Sequence, residues 1–184
     1  MNTETVTLFF GLLASLAQMV VVAALVLLVG SFVSPTVARL KRRIREQVAP
    51  QALVLAAVVA LVCTVGSLHL SEVAHFPPCR LCWFQRISMY PLVVVLGVAA
   101  IRRDHGARLT GGIIAGIGAA VSMWHLLVER YPNLGSSSCD VVNPCSIRWV
   151  EEFGYLTIPG MALSGFALIG VLLVVAGPSA DGGA

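Results

Sequence analysis

The chain has 184 residues, of which 58% are hydrophobic and 11% are charged, and its formal net charge is +3. Soluble domains carry about 25% charged residues. The composition therefore excludes an ordinary soluble domain and predicts an integral membrane protein.

Five apolar runs are candidates for membrane-spanning helices. A helix needs about 20 apolar residues to cross about 30 Å of hydrocarbon. The runs cover residues 6–33, 52–70, 87–101, 109–128 and 156–176. The third run has only fifteen residues, which cover about 22 Å as a helix, so we expect this helix to begin earlier, near Trp83 or Phe84. The sequence predicts an all-α integral membrane fold with five spanning helices.

Basic residues cluster in two of the loops between the predicted spans. Eight of the twelve Lys and Arg residues fall there: Arg39, Lys41, Arg42, Arg43, Arg45, Arg102, Arg103 and Arg108. The run at 39–45 is also compatible with anionic lipid or nucleic acid, but we interpret it as a topology determinant and predict no nucleic-acid partner. Because basic loops tend to stay in the cytoplasm, the N-terminus and the loops after spans two and four are predicted to lie outside, and the C-terminus inside.

Three residues inside the predicted spans are interpreted as packing residues. Gly112 and Gly116, four residues apart, predict a face along which another helix approaches closely. A dinucleotide-binding fingerprint is excluded at this point because no strand precedes the glycines. Cys63, in the middle of the second span, is interpreted as a small buried apolar residue.

Two cysteine pairs, Cys79/Cys82 and Cys139/Cys145, lie in the two loops that are predicted to be outside. Disulfides form and persist in oxidising compartments. In a Cys-X-X-Cys pair, the second thiol can attack a mixed disulfide formed by the first, and a second pair offers the first one an exchange partner. The pattern favours a dithiol-disulfide relay at the membrane surface.

The residues after the first pair favour reactive chemistry. With a helix that begins near Trp83, Cys82 lies in the first turn, where the positive end of the helix favours a thiolate. Arg86 lies one turn further along the chain. We interpret it as an electrostatic partner of the dithiol rather than as an interfacial anchor.

The residues after the second pair have an amphipathic pattern. Ile147, Val150 and Phe153 recur at spacing three. This spacing predicts an interfacial helix that holds Cys145 near the membrane surface.

Three motifs resemble the DsbB family of bacterial disulfide-bond formation proteins, especially its BdbC-like branch. The first is Pro-Cys-Arg-Leu-Cys-Trp-Phe-Gln-Arg at residues 78–86, followed by Met-Tyr-Pro-Leu at 89–92. The others are Trp-His-Leu-Leu-Val-Glu-Arg-Tyr-Pro at 124–132 and Phe-Gly-Tyr-Leu-Thr-Ile-Pro at 153–159. The resemblance covers about residues 51–176, and motif order and predicted topology agree with it.

The resemblance implies a four-helix transmembrane bundle in the bacterial cell membrane with a defined activity. Family members oxidise a thioredoxin-fold, DsbA-like protein outside the membrane and pass two electrons to a membrane quinone. The chain is thus expected to be a protein-disulfide:quinone oxidoreductase. The sequence leaves open whether the quinone is ubiquinone or menaquinone, and no metal is predicted.

The resemblance also assigns roles to residues. It implies that Cys79 and Cys82 form the quinone-proximal pair, with Cys82 next to the quinone, and that Cys139 and Cys145 form the partner-facing pair. Cys139 is the expected site of the mixed disulfide with the partner. The positions expected near the quinone ring are Gln85, Arg86 and His125.

The chain departs from the family pattern in two places. Residues 1–50 supply an additional N-terminal span and a basic loop, before a DsbB-like redox domain at 51–176 and a short tail at 177–184. Only five residues separate Cys139 from Cys145, which makes a stiffer loop than that of some family members.

Other classes of function compete with this hypothesis. All four loop cysteines together have a sensible number of ligands for zinc, and two static disulfides in a structural membrane protein are a second alternative. The vitamin K epoxide reductase family also couples loop cysteines to a quinone, but its loop pair precedes the Cys-X-X-Cys pair.

Overall fold

The computed structural model of the chain describes residues 3–135, 139 and 143–177, and it is mostly helical. The long helices are α1 (Thr3–Val33), α2 (Pro35–Val48), α3 (Ala52–Leu68), α4 (Arg80–Arg102), α5 (Ala107–Arg130) and α6 (Ile158–Val175). Five segments of the described chain are long and apolar enough to cross a membrane, with α2, α3 and the turn that follows α3 forming one of them. The predicted all-α fold with five spans is confirmed. The predicted tail lies outside the described residues except for Gly177.

The basic segment that follows α1 is helical and not the loop that we predicted. Ser34 has an extended conformation, and Pro35 occupies the first turn of α2. Proline suits this position because its missing N–H has no partner there in any helix. A short 3-10 turn (Ala49–Gln51) joins α2 to α3, and a π-helical turn (His69–Val73) extends α3.

Helix α4 begins at Arg80, three to four residues before the predicted start. Cys79 has an extended backbone, and its sulfur accepts the backbone N–H of Cys82. This contact caps the helix in the way that a polar side chain does at other N-termini. The 23 residues of α4 cover about 35 Å, which is enough for a full crossing.

Helices α3 to α6 form a four-helix bundle. Helix α4 lies between α3 and α5, and α6 closes the bundle against α5 and α3. The core between them contains Leu92, Leu96, Phe166 and Ile169. Helix α1 packs on the outside of this bundle, mainly against α6.

The close helix contact in α5 involves other glycines than the predicted ones. A Cβ at Gly111 would lie 2.8 Å from Leu96, and one at Gly118 would clash with the ring of Phe166. Gly112 and Gly116 have no neighbour within 4 Å of such a position. The prediction of a packing face at Gly112 and Gly116 was wrong because spacing alone does not show which side of a helix is buried.

A hairpin stands where we predicted an interfacial helix. Strands β1 (Glu151–Glu152) and β2 (Leu156–Thr157) pair in antiparallel fashion. Phe153 and Gly154 have left-handed backbones, with φ of 55° and 74°, and helices do not continue through such residues. The prediction of an interfacial helix was wrong, because residues 147–153 are not helical.

Candidate active site

The first cysteine pair forms a close dithiol at the start of α4. The sulfur atoms of Cys79 and Cys82 are 2.9 Å apart, and both side chains are free thiols. Cys79 caps the helix, and Cys82 lies in its first turn, as expected from the sequence. The backbone N–H of Cys82 donates to the Cys79 sulfur over 3.3 Å.

The electrostatics of the helix start favour a thiolate at Cys79 rather than at the expected Cys82. Hydrogen bonding to the Cys82 thiol, with a further hydrogen bond from His125, lowers the pKa of Cys79 from 9.0 to about 4, although burial opposes the shift. The expectation of a thiolate at Cys82 considered only the helix terminus, whereas the main causes of the low pKa are side-chain contacts with Cys82 and with His125 on another helix. The backbone N–H of Cys82 makes the smallest contribution.

His125 connects the two cysteine pairs. It lies buried on α5, and its Nδ1 is 3.3 Å from the side-chain nitrogen of Gln85. Because that amide nitrogen can only donate, the proton of the neutral ring is on Nε2. Nε2 lies 3.1 Å from the carbonyl oxygen of Cys145 and 3.6 Å from the Cys79 sulfur. The ring is therefore held where it donates towards both pairs.

The second pair is a disulfide packed against the first. Cys139 and Cys145 are bonded, with their Cα atoms 5.8 Å apart. Cys145 is 1% exposed and shares a buried cluster with Cys79 and Val128. Part of the loop between Cys139 and Cys145, like the neighbouring Ser137, lies outside the described residues. All four cysteines are thus in one place, as the relay hypothesis requires.

Arg86 lies inside the protein rather than at its surface. It is 8% exposed, and it donates from Nε to the Ser67 hydroxyl over 3.0 Å and from a terminal nitrogen to the Ser67 carbonyl over 2.9 Å. Its guanidinium carbon is 5.2 Å from the centre of the Trp83 ring. No described carboxylate is within salt-bridge distance of it. Arg86 is a fixed cation without an acidic partner among the described residues.

A cavity of about 370 Å³ opens beside this cation. It lies between α1, α3, α4 and α6, and its lining is almost entirely apolar. Cys82, Gln85, Arg86 and Tyr90 line it from α4. Among the described residues, the Tyr90 hydroxyl is buried without a hydrogen-bond partner.

A much smaller cavity, of about 20 Å³, lies between the cysteine pairs and has room for about one water molecule. Cys79, His125 and Cys145 line it together with Glu129. The Glu129 carboxylate is buried and accepts a hydrogen bond from the Thr157 hydroxyl over 2.7 Å.

Glu129 and Tyr90 were missed in the sequence analysis. Glu129 follows His125 by four residues, and Tyr90 follows Arg86 by four. Residues at this spacing share one helix face. This spacing of four residues from His125 and from Arg86 was the signal in the sequence that could have identified both residues.

The larger part of the chain matches one protein family. The family described as "Disulfide bond formation protein DsbB" matches residues 49–176. The chain belongs to the DsbB family. The matched residues contain α3 to α6, all four loop cysteines and the buried residues around them, whereas α1 and α2 precede the match.

Several curated relatives have related names. A probable disulfide formation protein of Oceanobacillus iheyensis is 44% identical over 123 residues, which are 65% of this chain and 84% of the relative. Disulfide bond formation protein C of Bacillus subtilis is 44% identical over 113 residues, 61% of this chain and 82% of the relative. A probable disulfide formation protein of Coxiella burnetii is 37% identical over 125 residues, 66% and 84% of the two chains. No solved structure gives a significant match.

The geometry of this DsbB-family site argues against a four-cysteine zinc site. Cys139 and Cys145 are joined to each other and therefore offer no thiolate. Among the described residues, one group can approach a metal together, formed by the two free sulfurs and a ring nitrogen of His125 within 4.8 Å. Three such donors also suit dithiol chemistry assisted by a histidine, which agrees with the family.

Proposed function

We propose that this membrane protein is a thiol:quinone oxidoreductase that reoxidises a DsbA-like, thioredoxin-fold protein outside the cytoplasm. One observation carries the proposal. The Cys79/Cys82 dithiol lies between a disulfide on one side and, on the other, a large apolar cavity that contains a fixed cation. An electron path from a protein dithiol to a membrane-soluble acceptor needs these three parts in this order.

The first step is exchange at the outer disulfide. A thiolate of the reduced partner attacks Cys139, which breaks the Cys139–Cys145 bond, forms a mixed disulfide and leaves Cys145 as a thiolate. The second thiol of the partner then attacks the mixed disulfide. This attack releases the oxidised partner and leaves Cys139 and Cys145 reduced.

The second step moves the electrons inward, when Cys79 and Cys82 are joined as a disulfide. Cys145 attacks Cys79, with which it shares the small cavity, and Cys82 leaves as a thiolate. Cys139 then attacks the Cys145 sulfur of the Cys79–Cys145 disulfide. Cys79 leaves as a thiolate, and the Cys139–Cys145 disulfide is restored. Cys79 is a good leaving group in this exchange because its thiolate is stabilised by the Cys82 thiol and by His125.

The large cavity fits a quinone. A bound quinone accepts two electrons and two protons, which balances the oxidation of the Cys79/Cys82 dithiol to a disulfide. The apolar walls suit a ring with an isoprenoid chain, and Arg86 offers a charge to oxygens that become negative. The Gln85 amide, in the same lining, is a further donor.

His125 and Glu129 are proposed to handle protons. Thiol oxidation releases protons, and the neutral His125 ring beside Cys79 can take up a second proton at Nδ1. Glu129 lies one turn away and faces the same small cavity. Buried acidic groups inside membrane proteins are costly and commonly serve proton transfer.

Quinone reduction by the purified protein tests the proposal. The protein in detergent is mixed with a reduced DsbA-like protein and with ubiquinone or menaquinone analogues, and quinone absorbance is followed. We expect turnover that is lost in Cys82→Ser. The proposal is wrong if the partner exchanges disulfides with the protein but no quinone is reduced.

A further inference from the structure

Helix α1 precedes the family match at residues 49–176, yet it lines the large cavity. Its buried residues recur at helical spacing and form a single face: Val6, Thr7, Gly11, Ala14 and Ala17. Most of its large apolar side chains are exposed on the other sides of the helix, where they suit lipid. Helix α1 therefore has one face directed towards the bundle.

Specific contacts hold this face in place. The side-chain nitrogen of Gln18 donates to the Ser164 hydroxyl on α6 over 3.0 Å, and the Tyr155 hydroxyl donates to the Gln18 oxygen over 3.0 Å. On α3, the ring of Phe10 packs so closely over Gly66 that an added Cβ would lie 2.8 Å from it. Polar pairs and close glycine contacts are how helices fix their register in a membrane.

Between the buried face of α1 and the bundle, the large cavity continues away from Arg86 as an apolar space. Leu13, Ala14, Ala17 and Val20 line it from α1. Opposite them, the lining from α3 and α6 includes Val59, Val62, Ala162 and Leu168. Arg86 is the one charged residue in the lining of this cavity among the described residues. Leu13 to Val20 extend for about 10 Å along α1, so the apolar part is elongated.

We propose that α1 forms the outer wall of the quinone site and that Ala14 and Ala17 provide the space for the isoprenoid chain. The inference rests on the proposed function, because Arg86 and Gln85 define the end that receives the quinone ring. Both alanines are 7% exposed and line the cavity. Larger side chains at these positions would extend into the space, since well-packed interiors do not absorb added volume without cost.

Three leucine variants test the wall. Ala14→Leu and Ala17→Leu fill the proposed chain site, and Ala23→Leu makes the same change at an exposed position of α1. We expect KM for a long-chain quinone to rise about tenfold in the first two variants and to stay unchanged in the third. KM for a quinone analogue without an isoprenoid chain should change little in all three.

A second readout does not depend on turnover. Long-chain quinone that copurifies with each variant is extracted and quantified, and we expect it to fall in Ala14→Leu and Ala17→Leu but not in Ala23→Leu. Disulfide exchange with the DsbA-like protein should persist in all three. Equal KM and equal quinone content in the buried and exposed variants would overturn the inference.

The unsubstituted chain provides a test that does not depend on folding of the variants. A quinone with a photoreactive group on its isoprenoid chain is expected to label α1 between residues 13 and 20. Labelling confined to α3–α6 would overturn the role of α1 and leave the proposed function intact. A chain that exchanges disulfides but neither reduces nor binds quinone would overturn both.

Discussion

The sulfur of Cys79 accepts a hydrogen bond from the backbone N–H of Cys82 and lies 2.9 Å from the Cys82 sulfur. One residue thus caps α4 and forms half of the dithiol. The two cysteines are not equivalent, because Cys82 lines both the large and the small cavity, whereas Cys79 lines the small one and not the large one.

The first prediction concerns the acidity of Cys79, whose pKa is lowered to about 4. In a background that lacks Cys63, Cys139 and Cys145, thiolate absorbance near 240 nm should show ionisation well below the usual thiol range. Cys82→Ala removes the largest cause and should raise the midpoint most. His125→Phe, which removes a smaller cause, should raise the midpoint less.

His105→Phe is the matched control for this titration, because His105 contacts the Ala176 carbonyl away from the cysteines. It should leave the midpoint unchanged. The thiolate stabilises the folded, reduced protein fully above about pH 9, and this contribution is lost as the pH falls towards 4. A midpoint near 9 in the unsubstituted pair would contradict the assignment.

Arg86→Lys tests whether the quinone site needs the guanidinium group itself or only a positive charge. Lysine keeps the charge but lacks the planar group that binds both Ser67 oxygens. We expect KM for quinone to rise about tenfold to a hundredfold, since a hydrogen bond to a charged group contributes roughly 1.5–3 kcal/mol. Arg80→Lys, an exposed change on the same helix, should be silent. Unchanged quinone kinetics in well-inserted Arg86→Lys would return Arg86 to a packing role.

Glu129→Gln tests the proton role of the buried carboxylate. Glutamine can still accept the hydrogen bond from Thr157 but cannot take up a proton. We expect quinone reduction to slow by about a hundredfold with little change in the unfolding temperature. Thr157→Val is the structural control, and it should lower the unfolding temperature more than the rate. Equal rates in Glu129→Gln and the unsubstituted protein would remove Glu129 from the mechanism.

A trapped intermediate tests the order of attack. In Cys145→Ser, Cys139 should form a mixed disulfide with a DsbA-like protein whose own resolving cysteine is removed. The complex should appear on a non-reducing gel and disappear with reductant. A complex of the same yield in Cys139→Ser would show that the partner enters at another cysteine.

Labelling in intact cells tests the proposed orientation. In a background without native cysteines, Leu134→Cys after α5 should react with a membrane-impermeant thiol reagent, and Gln47→Cys at the end of α2 should not. The same reactivity is predicted near Ser137. The opposite labelling pattern would put both cysteine pairs on the cytoplasmic side and exclude the relay.

The amino-acid sequence by itself determined the membrane class, the five spans and the family. Apolar runs predict spans because hydrocarbon tolerates few charges, and the Cys-X-X-Cys pair carries its chemistry in its spacing. Local sequence patterns were less reliable in predicting where helices begin and end. The extended backbone of Cys79 and the left-handed residues Phe153 and Gly154 moved one helix start and replaced a predicted helix with a hairpin.

Only the tertiary structure decided which side chains face one another. Arg86 is fixed by Ser67 on another helix, and Gln85 orients His125 across two helices. Neither pairing has a signal in the sequence, because contacts between helices depend on their rotation and depth. The same holds for α1, whose small residues Ala14 and Ala17 acquire meaning only from the cavity that they line.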